Sequence, residues 1–447
     1  MNRVLLAFIF LWSCSKAEAQ LSFSTRVLKD SLFIPWELIY GPDDHLWFTQ
    51  KNGFICRMDT AGNHLDTLYN EPSVITIKES GMLGMAMHPD FTNNPYLYVV
   101  WEFLNPAGSF RERIVRYTYN ASANTLGFPQ VIFDSTHGAR FHNGSRLAIV
   151  GDKLFVSVGD ATDSGNPQNL NSVNGKMLRL NLDGSIPTDN PFPGNPVWTW
   201  GHRNPQGLVY ANGILYSSEH GASNDDEINI IEKGRDYGWP YVEGYCDKSW
   251  ETAFCADSNV REPIYAWTPT IAPSGIDYYN HPMFPSLQRS LILASLKDSH
   301  LWQLQLNATY DSITSASQID GFGYGRLRDI CISPEGKIFV STSNSNPNDT
   351  GAKVDKIVVM YDPAFTQPAS FTIYPNPSSG MVHFAIPGHY AQLRYRLSTI
   401  DGKRISTGTL EPALPHLDMK MLPDGIYVIE IETEKGDKHK EKVVVQH

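Results

Sequence analysis

Positive charge is scarce in this chain. Its 447 residues carry 36 Lys and Arg against 47 Asp and Glu, a formal net charge of −11. A phosphate backbone calls for clustered Lys and Arg, so this balance argues against a nucleic-acid partner. Cysteine is scarce as well: there are five, and none has the spacing of zinc ligands. No apolar run beyond the N-terminus is long enough to cross a bilayer as a helix. Helix-like periodicity is sparse throughout. What remains is a succession of short β-rich runs between Gly, Pro, Asn and Asp turns, which reads as all-β. The length exceeds one ordinary small domain, although an all-β propeller could use most of it.

The first residues read as a secretory signal over 1–19. Arg3 supplies the positive start, Val4 to Trp12 the apolar core, and Ala17-Glu18-Ala19 the cleavage site before Gln20. Lipidation of Cys14 is the alternative, against which Trp12 is a poor lipobox residue. Export permits disulfides. Cys246 and Cys255 lie close in one loop and could pair, whereas Cys56 and Cys331 read as buried free thiols.

One pattern then recurs, a Gly/Asp/Asn turn followed by a short apolar strand. It appears as GPDDHLWFTQ from Gly41, HPDFTNNPYLYVVW from His88 and VGDKLFVSVGD from Val150. It returns as ANGILYSSEH from Ala211, SLQRSLILASLK from Ser286 and SPEGKIFVSTSN from Ser333. Six copies spaced roughly 50 to 75 residues apart predict a six-bladed β-propeller over residues 20–361. A large β-sandwich is the alternative and would be spaced less regularly. Distinctive polar residues fall at one phase of the repeat. Glu79 precedes the second copy, His142 the third, Arg203 and Asn204 the fourth, Thr270 the fifth, and Arg326 with Arg328 the sixth. His220 and Lys297 close their own strands. A shared phase in a radial repeat predicts convergence at one end of the axis, although any one of these residues alone is more often structural than catalytic.

The stretch Gly201 to Pro240 is the richest in chemistry. Arg203-Asn204 stand in a Pro-punctuated loop, and Glu219-His220-Gly221-Ala222 lead into Asp225-Asp226-Glu227. Oxygen-rich loops of this kind suit a hard cation such as Ca²⁺, and a nearby guanidinium suits an anionic ligand on that cation. A solvated acidic turn is the commoner meaning of such a cluster. The end of the chain differs in kind. After a linker at 362–370, residues 371–447 show alternating strands with turns at Pro377-Ser378-Ser379-Gly380, Asp401-Gly402 and Pro423-Asp424-Gly425. They predict a small C-terminal β-sandwich with a solvated Lys-rich edge and no catalytic cluster.

From about Phe33 to Tyr361 the chain resembles the soluble PQQ-dependent sugar dehydrogenases, the glucose/sorbosone dehydrogenase family. The matching stretches include GMLGMAMHPDF at Gly81, HNGSRL at His142, GKMLRLNLDGSIPTDNP at Gly175 and GHRNPQGL at Gly201. They continue with SEHGASNDDEIN at Ser218, DYGWP at Asp236, APSG at Ala272, LASLK at Leu293 and GRLRD at Gly325. The last segment, with YPNPSSG at its head and LPDGIYVIEI near its tail, resembles the C-terminal sorting domain of the type IX secretion system.

The first resemblance implies a six-bladed propeller with pyrroloquinoline quinone (PQQ) on its axis, held by Ca²⁺. By position, His142 matches the general base, and Arg203 with Asn204 the pair beside the quinone. Gly221 and Ala222 match the residues whose carbonyls hold the cofactor calcium. Glu227 and Tyr237 match a further calcium-associated pair, and Tyr245 with Asp247 part of a structural calcium site. Tyr265, Thr270, Lys297, Arg326 and Arg328 match cofactor-binding positions, and Glu79 stands where the glucose-oxidising members have Gln. Asp225 and Asp226 support the loop. The implied step is proton removal from the C1 hydroxyl of an aldose by His142 with hydride passing to the quinone, which gives a lactone. A histidine ordinarily titrates near pH ~6.5 and suits the first task, while Ca²⁺ acts as a Lewis acid on the quinone. Lys297, Arg326 and Arg328 are the counter-charges to three cofactor carboxylates. The implied partners are an aldose, an external electron acceptor, the type IX secretion machinery and, where dimerisation is retained, a second copy in a homodimer. Thr268 stands where the family has Trp, with Trp267 adjacent as a substitute for its packing, and the loop from Tyr245 to Pro263 is short.

Two other function classes remain open on the residues alone. A calcium-dependent propeller hydrolase, lactonase-like, would use the same acidic loop and His but has no need of Lys297, Arg326 and Arg328 together. A non-catalytic binding propeller would be favoured by loss of His142 or of Arg203-Asn204, and all three are present.

Overall fold

The computed structural model describes residues 21–365, 371–378, 380–386, 392–410, 415–434, 436 and 438–447. The expected signal segment 1–19, with Cys14, and residues 366–370 of the expected linker lie outside the described residues. Among the described residues up to Tyr361 the strands form six four-stranded antiparallel sheets. The innermost strands are Pro35–Tyr40, Met82–Met87, Gly144–Val150, Pro205–Ala211, Pro273–Tyr279 and Leu327–Ile332. The second strands are His45–Gln50, Tyr96–Leu104, Lys153–Val158, Ile214–Glu219, Ser290–Ser295 and Ile338–Thr342. Each copy of the sequence repeat supplies one second strand. These runs are apolar almost without a break because they are buried on both faces, between the sheets before and after them.

The sheets close into a ring. Each innermost strand packs against the next, and the sixth packs against the first. Six buried clusters lie between successive sheets, from Trp47–Met85–Val99 between the first and second to Phe48–Phe339–Ile357 between the sixth and first. The ring is a β-propeller. Its closure joins the two ends of this region, since Ser24–Leu32 pairs antiparallel with Asp355–Tyr361 as the outer strand of the sixth sheet. The carboxylate of Asp355, fully buried, fastens that joint by accepting from the Ile34 amide (2.9 Å) and the Thr342 hydroxyl (3.0 Å). Buried hydroxyls repeat a second tie: Thr49, Ser157 and Ser218 donate to the carbonyls of Leu83, Pro205 and Ser274 on the following innermost strand, at 2.6, 3.1 and 2.6 Å. At the axis there is no room for side chains everywhere. A Cβ at Gly84 would stand 2.0 Å from the Ser145 carbonyl and one at Gly207 2.3 Å from that of Ser274, so close approach demands glycine.

In every sheet the pairing of the first and second strands slips in register near the start of the first. Such irregularities bend a strand and re-aim its side chains. Here all six lie at the end of the axis where the site is found.

Residues Tyr245 to Pro263, read from sequence as a loop, contain the α-helix Ser249–Ser258. Its sequence shows no apolar stripe, and Glu251 is its buried residue, so the periodicity that reveals a helix is missing. Local chemistry holds it instead. Glu251 accepts from the Lys248 amide (3.1 Å), Asn259 closes the helix in the left-handed conformation (φ 53°), and the disulfide Cys246–Cys255 staples it. Cys56 and Cys331 are buried free thiols, as their surroundings suggested.

The C-terminal segment forms a three-stranded sheet and a four-stranded sheet that share one core, which includes Phe371, Val382, Leu397, Ile429 and Val443. Lys438–Val445 is an edge strand whose Lys438, Lys440 and Lys442 are exposed, the charged edge that discourages sheet-to-sheet association.

Candidate active site

The innermost strands begin, and the second strands end, at the same end of the propeller. Residues before the former and after the latter therefore meet around the axis. Glu79, His142, Arg203-Asn204, Thr270 and Arg326 precede innermost strands, and Arg328 is the second residue of its own. Lys51, Asp160, His220 and Lys297 follow second strands. A cavity of about 580 Å³ opens there, with Lys51, Glu79, Gln206, His220, Arg326 and Arg328 on its wall.

His142 is half-buried, with its neighbours Phe141 and Asn143 on the cavity wall. Its backbone is left-handed (φ 61°) and its amide donates to Glu79 Oε2 (2.8 Å). Its ring Nδ1 lies 2.8 Å from Asp160 Oδ1. Asp160 is buried and also accepts from the Thr162 amide (2.7 Å) and Trp239 Nε1 (2.9 Å). A carboxylate so placed accepts, so the imidazole carries its proton on Nδ1 and presents the Nε2 lone pair. That is the geometry of an oriented general base. Asp160 was missed in the sequence because it closes the third repeat copy, VSVGD, and reads there as a turn residue.

Arg203 and Asn204 are fixed by Glu219, whose Oε1 accepts from both backbone amides, while its Oε2 meets His202 Nδ1 at 2.9 Å. The Arg203 side chain lies over Trp239, 5.4 Å from the ring centroid, and donates to the His220 carbonyl (3.2 Å). Asn204 Oδ1 accepts from the Gly144 amide (3.1 Å) and Gln206 (3.0 Å), so its amide nitrogen turns toward Glu79 Oε2 (3.4 Å). Glu79 thus bridges the backbone of His142 and the side chain of Asn204.

The cavity is short of negative charge. Arg328 is buried and donates to Gln206 (3.0 Å) and the Ser274 hydroxyl (3.3 Å), while its Nε, like that of Arg203, is buried without a partner among the described residues. Burial, then Arg326 and Arg146, push the Arg328 guanidinium downward from its ordinary range. Burial first, then Arg328 and Arg203, hold His220 down at about 3, hence neutral. Cations this poorly compensated fit a polyanion. At the rim Lys297 Nζ, exposed, donates to Thr270 Oγ1 (2.6 Å).

A second, ion-sized cavity of about 10 Å³ lies beside the first, bounded by Glu219, Gly221, Glu227, Tyr237, Trp239 and Glu243. Burial, then the neighbouring Glu219 charge, push Glu227 up to about 8. Two crowded carboxylates beside a void fit a cation. Among the described residues no three His, Cys, Asp or Glu side chains are grouped as metal ligands, so a cation here would draw on backbone carbonyls too, the donor set of a hard ion. Asp226 shapes the loop by accepting from the amides of Gly221 (2.8 Å), Ile271 (2.6 Å) and Ala272 (2.7 Å). The Tyr237 hydroxyl is engaged by the Ile230 carbonyl and the Glu232 amide, so any part it takes in holding a cation falls to its backbone.

Other expected positions lie apart. Tyr245 and Asp247 are exposed and joined by an Asp247 amide to Tyr245 carbonyl bond of 2.8 Å, and the Cys246 amide between them donates to Glu262 Oε1 (2.8 Å). Tyr265 packs edge-on to Trp267. Trp267 does not replace the missing Trp at the mouth: its ring is in the core against Trp302, because it is a strand residue facing the next sheet. Thr268 instead bonds Asp225 Oδ1 (2.7 Å).

At one end of its axis the propeller gathers an oriented His–Asp pair, buried cations and an acidic ion-sized pocket. Residues 32–350 match the Glucose / Sorbosone dehydrogenase family, and residues 372–446 match the Secretion system C-terminal sorting domain. The quinoprotein glucose dehydrogenase B of Acinetobacter calcoaceticus is 32% identical over 421 residues, covering 75% of this chain and 88% of that protein. The aldose sugar dehydrogenase of Escherichia coli (strain K12) is 29% identical over 349 residues, covering 73% and 92%. Among solved structures, the PQQ-bound aldose sugar dehydrogenase of Streptomyces coelicolor superposes with a TM-score of 0.65 at 30% identity, covering 76% of this chain and 98% of that one. The chain belongs to the glucose/sorbosone dehydrogenase family.

Proposed function

We propose that the protein is an exported quinoprotein dehydrogenase that oxidises the C1 hydroxyl of an aldose to the lactone. The observation that carries this reading is the His142–Asp160 pair at the edge of a cavity walled by under-compensated cations. In this reading residues 1–19 are the signal, 20–361 a six-bladed propeller, 362–370 a linker and 371–447 a sandwich-like sorting domain read by the type IX secretion machinery. PQQ held with Ca²⁺ would supply the hydride acceptor and the Lewis acid that the side chains cannot. Arg326, Arg328 and Lys297 would hold its carboxylates, with Arg203, Asn204, Thr270 and Tyr265 around it. Gly221, Ala222 and Glu227 would hold the cation, with Tyr237 at its backbone.

The chain's own residues then have definite tasks. His142 Nε2 takes the proton from the sugar C1 hydroxyl, and Asp160 keeps Nδ1 protonated and stabilises the imidazolium that results. Glu79 holds the His142 backbone and points the Asn204 amide inward. Trp239 bonds the far oxygen of Asp160, which fixes the carboxylate. A hydrolase would leave the buried Arg328 and its companions without a purpose.

The test is reconstitution of purified protein with PQQ and Ca²⁺, assayed against an aldose panel with an artificial electron acceptor. Dye reduction that needs both additions is the expected result. Failure of the wild-type protein to bind the quinone would overturn the reading. Lys297→Ala should weaken quinone binding roughly tenfold to a hundredfold, the worth of one charge-assisted hydrogen bond. An unchanged dissociation constant would remove Lys297 from the site.

A further inference from the structure

Lys51 sits one residue past the second strand of the first sheet. His220 takes the same place in the fourth sheet, and Lys297 lies two residues past the second strand of the fifth. The repeat therefore delivers Lys51 to the site by the same geometry that delivers those two. It is 3% exposed, yet it lies on the cavity wall with Glu79, Arg326 and Arg328. Its stem runs under Gly81, where a Cβ would stand 2.3 Å from Lys51 Cγ. Its Nζ donates to the Lys78 carbonyl, and among the described residues it forms no ion pair. Nothing in the sequence resemblance gave this residue a role.

An ammonium has three donors and is expensive to bury without an anion. The groups that act on Lys51 come from the second and sixth sheets, Glu79 from the loop that enters the second. Arg328 opposes its charge, and Glu79 and Glu102 favour it. Glu102 is a weak counter-ion, because its own burial and the facing Glu112 push it well above the ordinary carboxylate range and favour its neutral form. Glu79 already serves the His142 amide and Asn204. Burial first, then Arg328, leave the Lys51 amine at about 7.

We propose that Lys51 is a further anchor for a carboxylate of the quinone cofactor, and that its amine takes up a proton as the cofactor enters the cavity. This rests on the quinoprotein reading and adds to it a fourth cation and a proton stoichiometry. The balance is simple: a neutral amine and a carboxylate combine with one proton from solvent to give an ammonium–carboxylate pair. The sign follows from linkage. An anion against Nζ favours the charged form and returns the amine toward its ordinary value of about 10.4. Uptake is therefore largest between about pH 7 and pH 10 and fades below about pH 6, where the free amine is already charged. At pH 8, where the uptake is read, the guanidiniums are charged before and after binding and contribute little.

Calorimetric titration of PQQ into Ca²⁺-saturated protein at pH 8, in buffers of different ionisation enthalpy, reads the protons taken up. Wild-type protein should take up nearly one proton more than Lys51→Met. Lys51→Met should bind about tenfold to a hundredfold more weakly, the worth of one charge-assisted hydrogen bond. Lys51→Arg keeps the cation but cannot gain a proton, so it should retain affinity within a few fold and lose the uptake. Thermal melting of each apo-protein checks that the variants fold. Equal proton uptake and equal affinity in wild type, Lys51→Met and Lys51→Arg would overturn the assignment while leaving the quinoprotein reading intact. No quinone binding by the wild type would overturn both.

Discussion

Replacing His142 by glutamine is expected to lower turnover of the reconstituted enzyme at least about a hundredfold while leaving quinone affinity nearly unchanged. Glutamine is close in length and can still donate toward Asp160, but it has no basic lone pair near neutral pH. The loss should fall on kcat and on kcat/KM alike, since the proton moves only in the transition state. The backbone conformation of residue 142 is held by Glu79 rather than by the side chain, so the loop should survive the change. Asp160→Asn is the companion. Asparagine can donate to Nδ1 and favour the wrong tautomer, so activity should drop although the ring stays in place. Full turnover in His142→Gln would show that another group takes the proton. Turnover lost together with quinone binding would show that His142 shapes the cofactor site instead.

Legibility varied with burial. The second strands stood out because burial on both faces makes them continuous apolar runs, and their regular spacing gave the ring. The innermost strands were quieter: each begins with a register slip, and several use glycine at the axis, so neither alternation nor a long run marks them. The phase of Glu79, His142, Arg203, Arg326 and Arg328 placed them at one end of the axis because phase in a radial repeat is position in space. Asp160 and Lys51 share the complementary phase, just past the second strands, and were overlooked since a turn Asp and a strand-end Lys are commonplace in any sequence. The helix Ser249–Ser258 escaped because its order comes from a disulfide and a cap, and its surface pattern is silent.

Below the cavity the axis is also charged. Arg146, 2% exposed, binds Glu37 Oε1 (2.7 Å) and Asp329 Oδ1 (2.9 Å), and Asp329 Oδ2 accepts from the Leu38 amide (2.6 Å). This arrangement joins the first, third and sixth sheets, and its positive member has carboxylates to meet. Arg328, one residue before Asp329, has no ion-pair partner among the described residues: its side chain faces Gln206, Ser274 and the Trp36 ring, 5.6 Å from the centroid. The contrast separates a cation that holds the fold from one kept for a ligand.

Arg328→Met should therefore act in opposite directions on the two states. The apo-protein loses a buried, weakly compensated cation, and exchange for an apolar side chain of similar length should leave its melting temperature unchanged or raised by a few degrees, as for buried charges replaced by apolar groups. Gln206 loses one donor but keeps its bond to Asn204. The quinone, in contrast, loses a buried guanidinium that can grip a carboxylate with two donors, so affinity should fall about a hundredfold or more. Differential scanning calorimetry with and without PQQ and Ca²⁺ reads both effects at once. The gain in melting temperature on adding cofactor should be large for wild type and small for Arg328→Met. A destabilised apo-protein with an undiminished cofactor shift would mean that Arg328 belongs to the framework, and the anion site would then rest on Arg326 and Lys297 at the rim.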